Sequence, residues 1–443
     1  MRLTILGGGG FRVPLVHSAL VSEDSGVETV VLHDTDPQRV RAVRSVIDEA
    51  SPGHGPEVIV EDDLATAVQG ADFVFSAIRV GGLRGRTCDE RSALAEGVLG
   101  QETTGAGGVC YGLRTIPVAM TIAEAVRRHA PEAWVINFTN PAGMVTEAMS
   151  RVLGERVIGI CDSPVGLFRR VARALEVDPA AAWFDYAGLN HLGWLRRVLV
   201  DGEDRLPRLL ADDDALASFE EGQLFGGSWL RALGMIPNEY LYYYYFTQDA
   251  IASISEATAT RGEFLREQQD AFYRAAGEPG AAKRWEEARR EREATYMSEG
   301  RQASGAGSRN VADLDGGGYD KVALSLMRAI AADERATLVL NVRNRSAVPD
   351  LDEDAVVEVP CLVGRNGAHP LAAGALDSHA AGLMTSVKAT ERATIDAALS
   401  GSRSAAVKAL AIHPLVGSVR SAERILTREL EALPELNAVL TLR

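Results

Sequence analysis

Between residues 3 and 161 the chain alternates two kinds of segment, and this alternation constrains its fold more than any other feature. Short, continuous apolar runs (LTIL 3–6, TVVLHD 29–34, DFVFSAI 72–78, WVINFT 134–139 and VIGIC 157–161) are separated by amphipathic stretches such as 36–50 and 115–130. A strand with one wet face alternates apolar and polar residues. A continuous run suits a strand covered on both faces, as in a parallel sheet flanked by helices. The repetition predicts an α/β fold with a Rossmann-like, doubly wound, mostly parallel sheet. The pattern changes near residue 165. Residues 164–175 read as a helix, 184–200 as a hairpin or strand pair, and 262–300 as one or two charged helices. Residues 354–364 read as a strand and the last eighty residues as largely helical. At 443 residues the chain is long for one core, so we expect a first domain over 1–165 and a mixed α+β C-terminal domain over 166–443. Gly, Ser and Asp dominate 298–320, which reads as a mobile loop.

Composition excludes several classes of partner. A net charge of −15 argues against nucleic acid, because phosphate backbones need basic clusters. It leaves room for a small anionic substrate, which needs only two or three placed cations. Cys88, Cys110, Cys161 and Cys361 are too few and too far apart for a disulfide framework, which suggests a reducing cytoplasm. No apolar run approaches the roughly 18 residues of a membrane helix. The opening MRLTILGGGG reads as a strand rather than a signal segment.

ILGGGGFRVP follows the first strand and should open a helix. Glycines there let the backbone approach a pyrophosphate beside the positive end of the helix. The third glycine of G-x-G-x-x-G is missing, since Arg12 or Val13 stands in its place. Position still favours a dinucleotide site at Gly7, Gly9, Gly10, Phe11 and Arg12. Asp34, at the end of the second strand, would bind ribose hydroxyls and repel a 2′-phosphate, favouring NAD over NADP.

Together with GQETTGAGG (100–108), NFTNPAG (137–143), GICDSP (159–164) and GLNHLGW (188–194), the glycine run resembles glycoside hydrolase family 4. These are NAD- and metal-dependent glycosidases, many acting on 6-phosphoglycosides. The resemblance continues through NVRNRSAVPDLDEDAVVEVPCLV (341–363) to ALAIHPLVGS (409–418). It implies hydrolysis by transient oxidation at C3, deprotonation at C2, and elimination and addition at C1. A 6-phospho-β-glucoside is the favoured substrate, with a 6-phospho-α-glucoside or an unphosphorylated α-glycoside as the alternative within the family, and a homodimer or homotetramer is the expected assembly.

The resemblance also implies residue roles. Cys161 and His191 correspond to metal ligands, with Mn²⁺ the expected ion, although thiolate and imidazole also accept Zn²⁺ or Fe²⁺. Outside the family, a lone Cys is usually an apolar filler and a lone His a hydrogen-bonded core residue. In IPNEYLYYYYF (236–246), Tyr240 corresponds to the C2 base, while Tyr242 to Tyr245 read as aromatic packing. Glu102 corresponds to an acid that raises the basicity of that tyrosine. Asp162 is either the proton donor to the leaving oxygen or a helix N-cap. Arg86, Asn140, Asn190 and Arg261 correspond to substrate contacts, the arginines suiting a sugar phosphate. The main rival is a lactate- or malate-type NAD-dependent dehydrogenase, which leaves Cys161–Asp162 and Tyr240 without a task.

Overall fold

The computed structural model describes residues 1–441 apart from 23–24, 276, 308, 311–312 and 314–317. Its parallel half consists of β1 (Arg2–Leu6), β2 (Thr29–His33), β3 (Glu57–Val60), β4 (Phe73–Ser76), β5 (Trp134–Asn137) and β6 (Val157–Gly159). They lie in the order β3-β2-β1-β4-β5-β6, the doubly wound order whose direction of growth reverses between β1 and β4. Five of the six are the continuous apolar runs. The missed strand, β3, is a sheet edge with exposed ends, so its sequence EVIV lacks full apolar cover. The helix Pro37–Ala50 begins where Asp36 accepts from the Gln38 and Arg39 amides and proline takes the first helical position.

The second half adds β7 (Trp183–Leu189), β8 (Leu192–Val200), β9 (Glu203–Asp204), β10 (Ile236–Pro237), β11 (Ala336–Arg343), β12 (Val356–Gly364) and β13 (Gly367–Pro370). These strands are antiparallel and extend the same sheet. β11 joins β6 through the pair Asn341–Gly159, and β12 joins β7 through Glu358–Gly188. Glu358 binds that junction together. It accepts from Asn341 Nδ2 (2.9 Å), Asn190 Nδ2 (3.3 Å) and Tyr186 Oη (3.0 Å). Strands on both sides of residue 165 thus share one sheet, and the largest apolar cluster draws on both.

The helix expected at 115–130 is longer, running from Ala106 to His129. Gly107 and Gly108 lie within its first turn. A Cβ on either would stand 2.0 Å from Gln101 O or 2.3 Å from Thr103 O, so the glycines seat the helix against the GQETT loop rather than break it. This helix has the length and hydropathy of a membrane span, yet 67% of that stretch is buried beneath neighbours such as Ala142–Leu153 and Ser378–Ser400. It is a core helix.

The charged stretch forms the helices Arg261–Arg274 and Ala281–Ala294, a hairpin lying on Pro37–Ala50. The mobile-loop expectation at 298–320 needs correction at its start, where Ser298–Ser304 is helical. Residues 308, 311–312 and 314–317 of that stretch lie outside the described residues.

Candidate active site at the carboxyl edge of the sheet

The glycine loop after β1, Ala77–Arg79 after β4, Phe138–Asn140 after β5 and Cys161–Asp162 after β6 all emerge at the carboxyl ends of parallel strands. They line one cleft of about 230 Å³, where open α/β sheets bind ligands. His191 reaches it from the tight turn joining β7 to β8, with φ +60. A non-glycine residue in that region is uncommon and is tolerated where surrounding structure enforces it. Gly188 and Gly193 flank the turn. A Cβ on Gly193 would sit 2.2 Å from Tyr186 Oη, so the hairpin closes only with hydrogen there.

His191 is 8% exposed, and burial drops its pKa to about 3, so the ring is neutral. Its Nδ1 lies 3.0 Å from Thr103 Oγ1. Thr103 Oγ1 in turn donates to Gln101 Oε1 (3.3 Å), which also accepts the Thr103 and Thr104 amides. With the threonine proton so used, its oxygen accepts Nδ1–H, and the Nε2 lone pair is left for a cation. Cys161 is 5% exposed. Burial, then Glu358 and Asp162, push its thiol well above the usual range. A bound divalent cation reverses that preference. Sulfur and neutral imidazole suit a borderline divalent metal.

Tyr240 stacks on His191, with ring centroids 3.6 Å apart and planes 6° from parallel. Its hydroxyl is 3.0 Å from Tyr296 Oη. Burial, with Glu239 second, raises its pKa above the ordinary phenol value. Glu239 is also buried, pushed up to about 7, and accepts from Ser163 Oγ at 2.7 Å. Glu102 does not hydrogen-bond Tyr240. It bridges Arg79 and Arg86, the latter at 2.6 Å, and these arginines overcome its burial to hold it at about 2. Tyr242 and Tyr243 are each 1% exposed and belong to the core, and Tyr245 Oη accepts from Trp194 Nε1.

Asp162 occupies the N-cap position of Ser163–Leu175, but its side chain makes no capping bond. It lies 3.6 Å from Arg12. Arg86, Asn140 and Arg261 line the cleft; Asn190 lines a smaller cavity that His191 also borders. Of the nucleotide candidates, Gly10, Phe11 and Arg12 line the cleft. Gly7 and Gly9 do not, although each is sterically required. Their Cβ positions fall 2.5 Å from Ala77 O and 2.6 Å from Arg39 Cβ. The Asp34 carboxylate accepts from the Gly9 and Asp36 amides, both at 3.0 Å.

Sequence reasoning named Arg261 but missed its cleft neighbours Arg292, Gln269 and Tyr296. Arg261 donates to Thr295 Oγ1 and to the Arg292 carbonyl, both uncharged. Arg292 has Glu293 as its nearest carboxylate, 3.9 Å away. Burial and repulsion from Arg86 lower Arg261 to about 10; burial, Arg12 and Arg261 lower Arg292 to about 9. Gln269 is 4% exposed, lines the cleft, and its side chain makes no hydrogen bond among the described residues. Arg292, Gln269 and Tyr296 lie in charged helical sequence with no motif to mark them. Glu239, next to the candidate base, could have been noticed from adjacency alone.

Two family models match the chain: Family 4 glycosyl hydrolase over residues 2–177, and Family 4 glycosyl hydrolase C-terminal domain over 186–416. The 6-phospho-β-glucosidase of Thermotoga maritima is 31% identical over 437 residues, 98% of each chain. A solved structure of the Thermotoga maritima 6-phospho-β-glucosidase, with manganese, NAD⁺ and glucose-6-phosphate, matches with a TM-score of 0.83 and 29% identity. The match covers 98% of this chain and 99% of that one. A phospho-α-glucosidase of Clostridium acetobutylicum is 30% identical over 439 residues, 97% of each chain.

Proposed function

The chain belongs to glycoside hydrolase family 4, and from that premise we propose that it is a 6-phosphoglucosidase, acting first on β-glucosides, with NAD⁺ and a divalent cation. The observation that carries the phosphorylated substrate is the pair Arg261 and Arg292. In a protein of net charge −15, two half-buried guanidinium groups line the cleft, the nearest carboxylate to Arg292 stands 3.9 Å away, and Arg86 repels the first while Arg12 and Arg261 repel the second. A sugar phosphate relieves that repulsion and accepts their forked donors. The β preference follows the full-length Thermotoga relative, and the α relative is nearly as similar.

The residues present fit both cofactors. The Phe11 and Arg12 amides have no partner among the described residues and stand just before the helix Val13–Ser22, where an anion is favoured. Cys161 and His191 offer sulfur and an imidazole nitrogen to a cation such as Mn²⁺. Bound there, the nicotinamide supplies reversible hydride transfer and the metal Lewis acidity. The protein's own groups do the rest. Tyr240 Oη takes the proton from C2 of the sugar, Tyr296 steadies that hydroxyl, and Asp162 gives a proton to the oxygen leaving C1. Asn140 and Arg86 hold the sugar against this set. The same reading carries a cytoplasmic location, in accord with four unpaired cysteines, and a homodimer or homotetramer.

The test is turnover of paired α- and β-nitrophenyl glucosides, with and without 6-phosphate, omitting NAD⁺ and Mn²⁺ in turn. Activity on the β-6-phosphate that needs both additions is expected. Faster α turnover would reverse the anomeric reading. NADH accumulating in proportion to product would make the protein a dehydrogenase.

A further inference from the structure

The loop 7–12 departs from the usual fingerprint by lacking its third glycine, yet it is held more tightly than its sequence suggests. The Gly7 and Gly8 amides both donate to His33 O (2.9 and 2.8 Å), Gly9 N to Asp34 Oδ2, and Gly10 N to Gly7 O. Three of its carbonyls are taken by side chains from more than 250 residues later. Tyr273 Oη donates to Gly9 O (2.7 Å), Trp285 Nε1 to Phe11 O (2.8 Å) and Tyr319 Oη to Arg12 O (2.7 Å). The rings are themselves fixed. Phe11 packs edge-on against Phe272 at 5.5 Å and beside Trp285 at 6.3 Å, and Arg39 lies over Tyr273 and donates to its hydroxyl at 3.0 Å.

A trans peptide points its C=O and N–H in opposite directions. Trp285, by holding Phe11 O, therefore aims the Arg12 N–H away from the hairpin. That amide and its neighbour at Phe11 have no partner among the described residues, and both residues line the cleft. We infer that Tyr273, Trp285 and Tyr319 are positioning residues for the dinucleotide. They hold the glycine loop by its carbonyls, Tyr273 and Trp285 from outside the cleft and Tyr319 from its wall, so that the Phe11 and Arg12 amides stand ready for the pyrophosphate. The inference rests on the NAD⁺ reading above. It explains how a loop without the third glycine keeps an anion cradle: aromatic donors from the second half of the chain supply the rigidity. It also makes the 261–294 hairpin common to both ligand sites, since the same helices carry Arg261 and Arg292.

The test is calorimetric titration of the full chain with NAD⁺, and separately with ADP, in the absence of metal and sugar. The variants are Trp285→Phe, Tyr273→Phe and Tyr319→Phe, which keep a ring and lose one donor. Each should weaken both ligands about three- to tenfold, the range one hydrogen bond commands. Adenosine, which has no phosphate, should bind the variants as it binds wild type. In turnover the loss should fall on KM for NAD⁺ more than on kcat, and Mn²⁺ affinity should not move. Unchanged NAD⁺ and ADP affinity in Trp285→Phe and Tyr273→Phe overturns the inference, whether or not melting temperatures fall. An equal loss for adenosine also overturns it, because the loop would then act on the wrong part of the ligand. Wild-type protein that binds no NAD⁺ would fail the functional reading instead.

Discussion

Two groups of charged side chains in this molecule, one fully buried and one half-buried on the cleft wall, are each centred on arginine and end in opposite states. Beneath helix Val419–Ala432, Arg114 grips Asp89 with two bonds of 2.7 Å and lies 3.5 Å from Glu429, all three side chains at most 1% exposed. Cys110 completes a set in which the ligand atoms of Asp89, Cys110 and Glu429 lie within 4.8 Å of one another. That resembles a metal site, but a guanidinium already supplies the cation. In the cleft, Arg261 donates only to uncharged oxygens, Arg292 has its nearest carboxylate 3.9 Å away, and the Gln269 side chain makes no hydrogen bond among the described residues. A buried charge with its counter-charge holds the fold together. A half-buried charge whose counter-charge is distant is left available to an anion from outside the chain.

The sharpest way to break this comparison uses the two cysteines. Cys161→Ser should cost about a thousandfold or more in kcat, because several kcal/mol of Lewis-acid stabilisation depend on the metal that thiolate holds. Cys110→Ser should leave turnover and Mn²⁺ affinity as they are. A Cys161→Ser protein with full activity in metal-free buffer would show the cleft to be no more a metal centre than the closed cluster.

The arginines come next, and here the two clusters should respond with opposite sign. Arg114→Met strands two buried carboxyl groups and should destabilise the fold by about 3–5 kcal/mol, read by urea denaturation. Arg292→Met removes a repelled cation, so its melting temperature should stay level or rise. Its kcat/KM for the 6-phosphoglucoside should fall about ten- to a hundredfold, the range of a charged hydrogen bond. Turnover of the unphosphorylated glucoside should change little. Equal losses on both substrates would detach Arg292 from the phosphate. A milder probe is Gln269→Leu: an unpartnered amide exchanged for an apolar side chain should leave stability unchanged and lower affinity for one of the two ligands.

The same contrast explains what could be read from the sequence. Continuous apolar runs marked five parallel strands because burial on both faces leaves no polar alternation, and β3 escaped because an edge strand has exposed positions. Gly107 and Gly108 hid the start of the helix Ala106–His129. Glycine usually ends helices, and only a neighbour's carbonyl 2.0 Å from a would-be Cβ reveals why it sits here. In the site, Cys161, His191, Tyr240 and Arg261 stand in short motifs and proved to share one cleft. Arg292, Gln269 and Trp285 lie on helices that look like solvated charged helices in sequence. Their importance comes from the fold laying that hairpin across the nucleotide loop, a long-range contact without local signature. Asp34 has a local signal and a long-range task besides. The sequence places it at the ribose; the structure adds a role the sequence does not show, since each of its oxygens accepts a backbone amide, one from the glycine loop itself.

The smallest expected effect concerns protons in the closed cluster. Burial, with Asp89 second, pushes Glu429 up to about 8 against an ordinary 4.5. Arg114, Ser92 and Cys88 oppose that shift without cancelling it. The folded chain therefore binds this proton more tightly than the unfolded one. Stability from this group is full below pH about 4.5, declines as pH rises toward about 8, and is level above. Glu429→Gln keeps the shape and removes the titration. Its melting temperature should match wild type at pH 5 and exceed it by a few degrees at pH 9. A difference independent of pH would mean that Glu429 is ionised throughout, so that Arg114 carries two carboxylates at once. The closed cluster would then hold excess negative charge, and its Asp89–Cys110–Glu429 set would deserve a metal titration of its own.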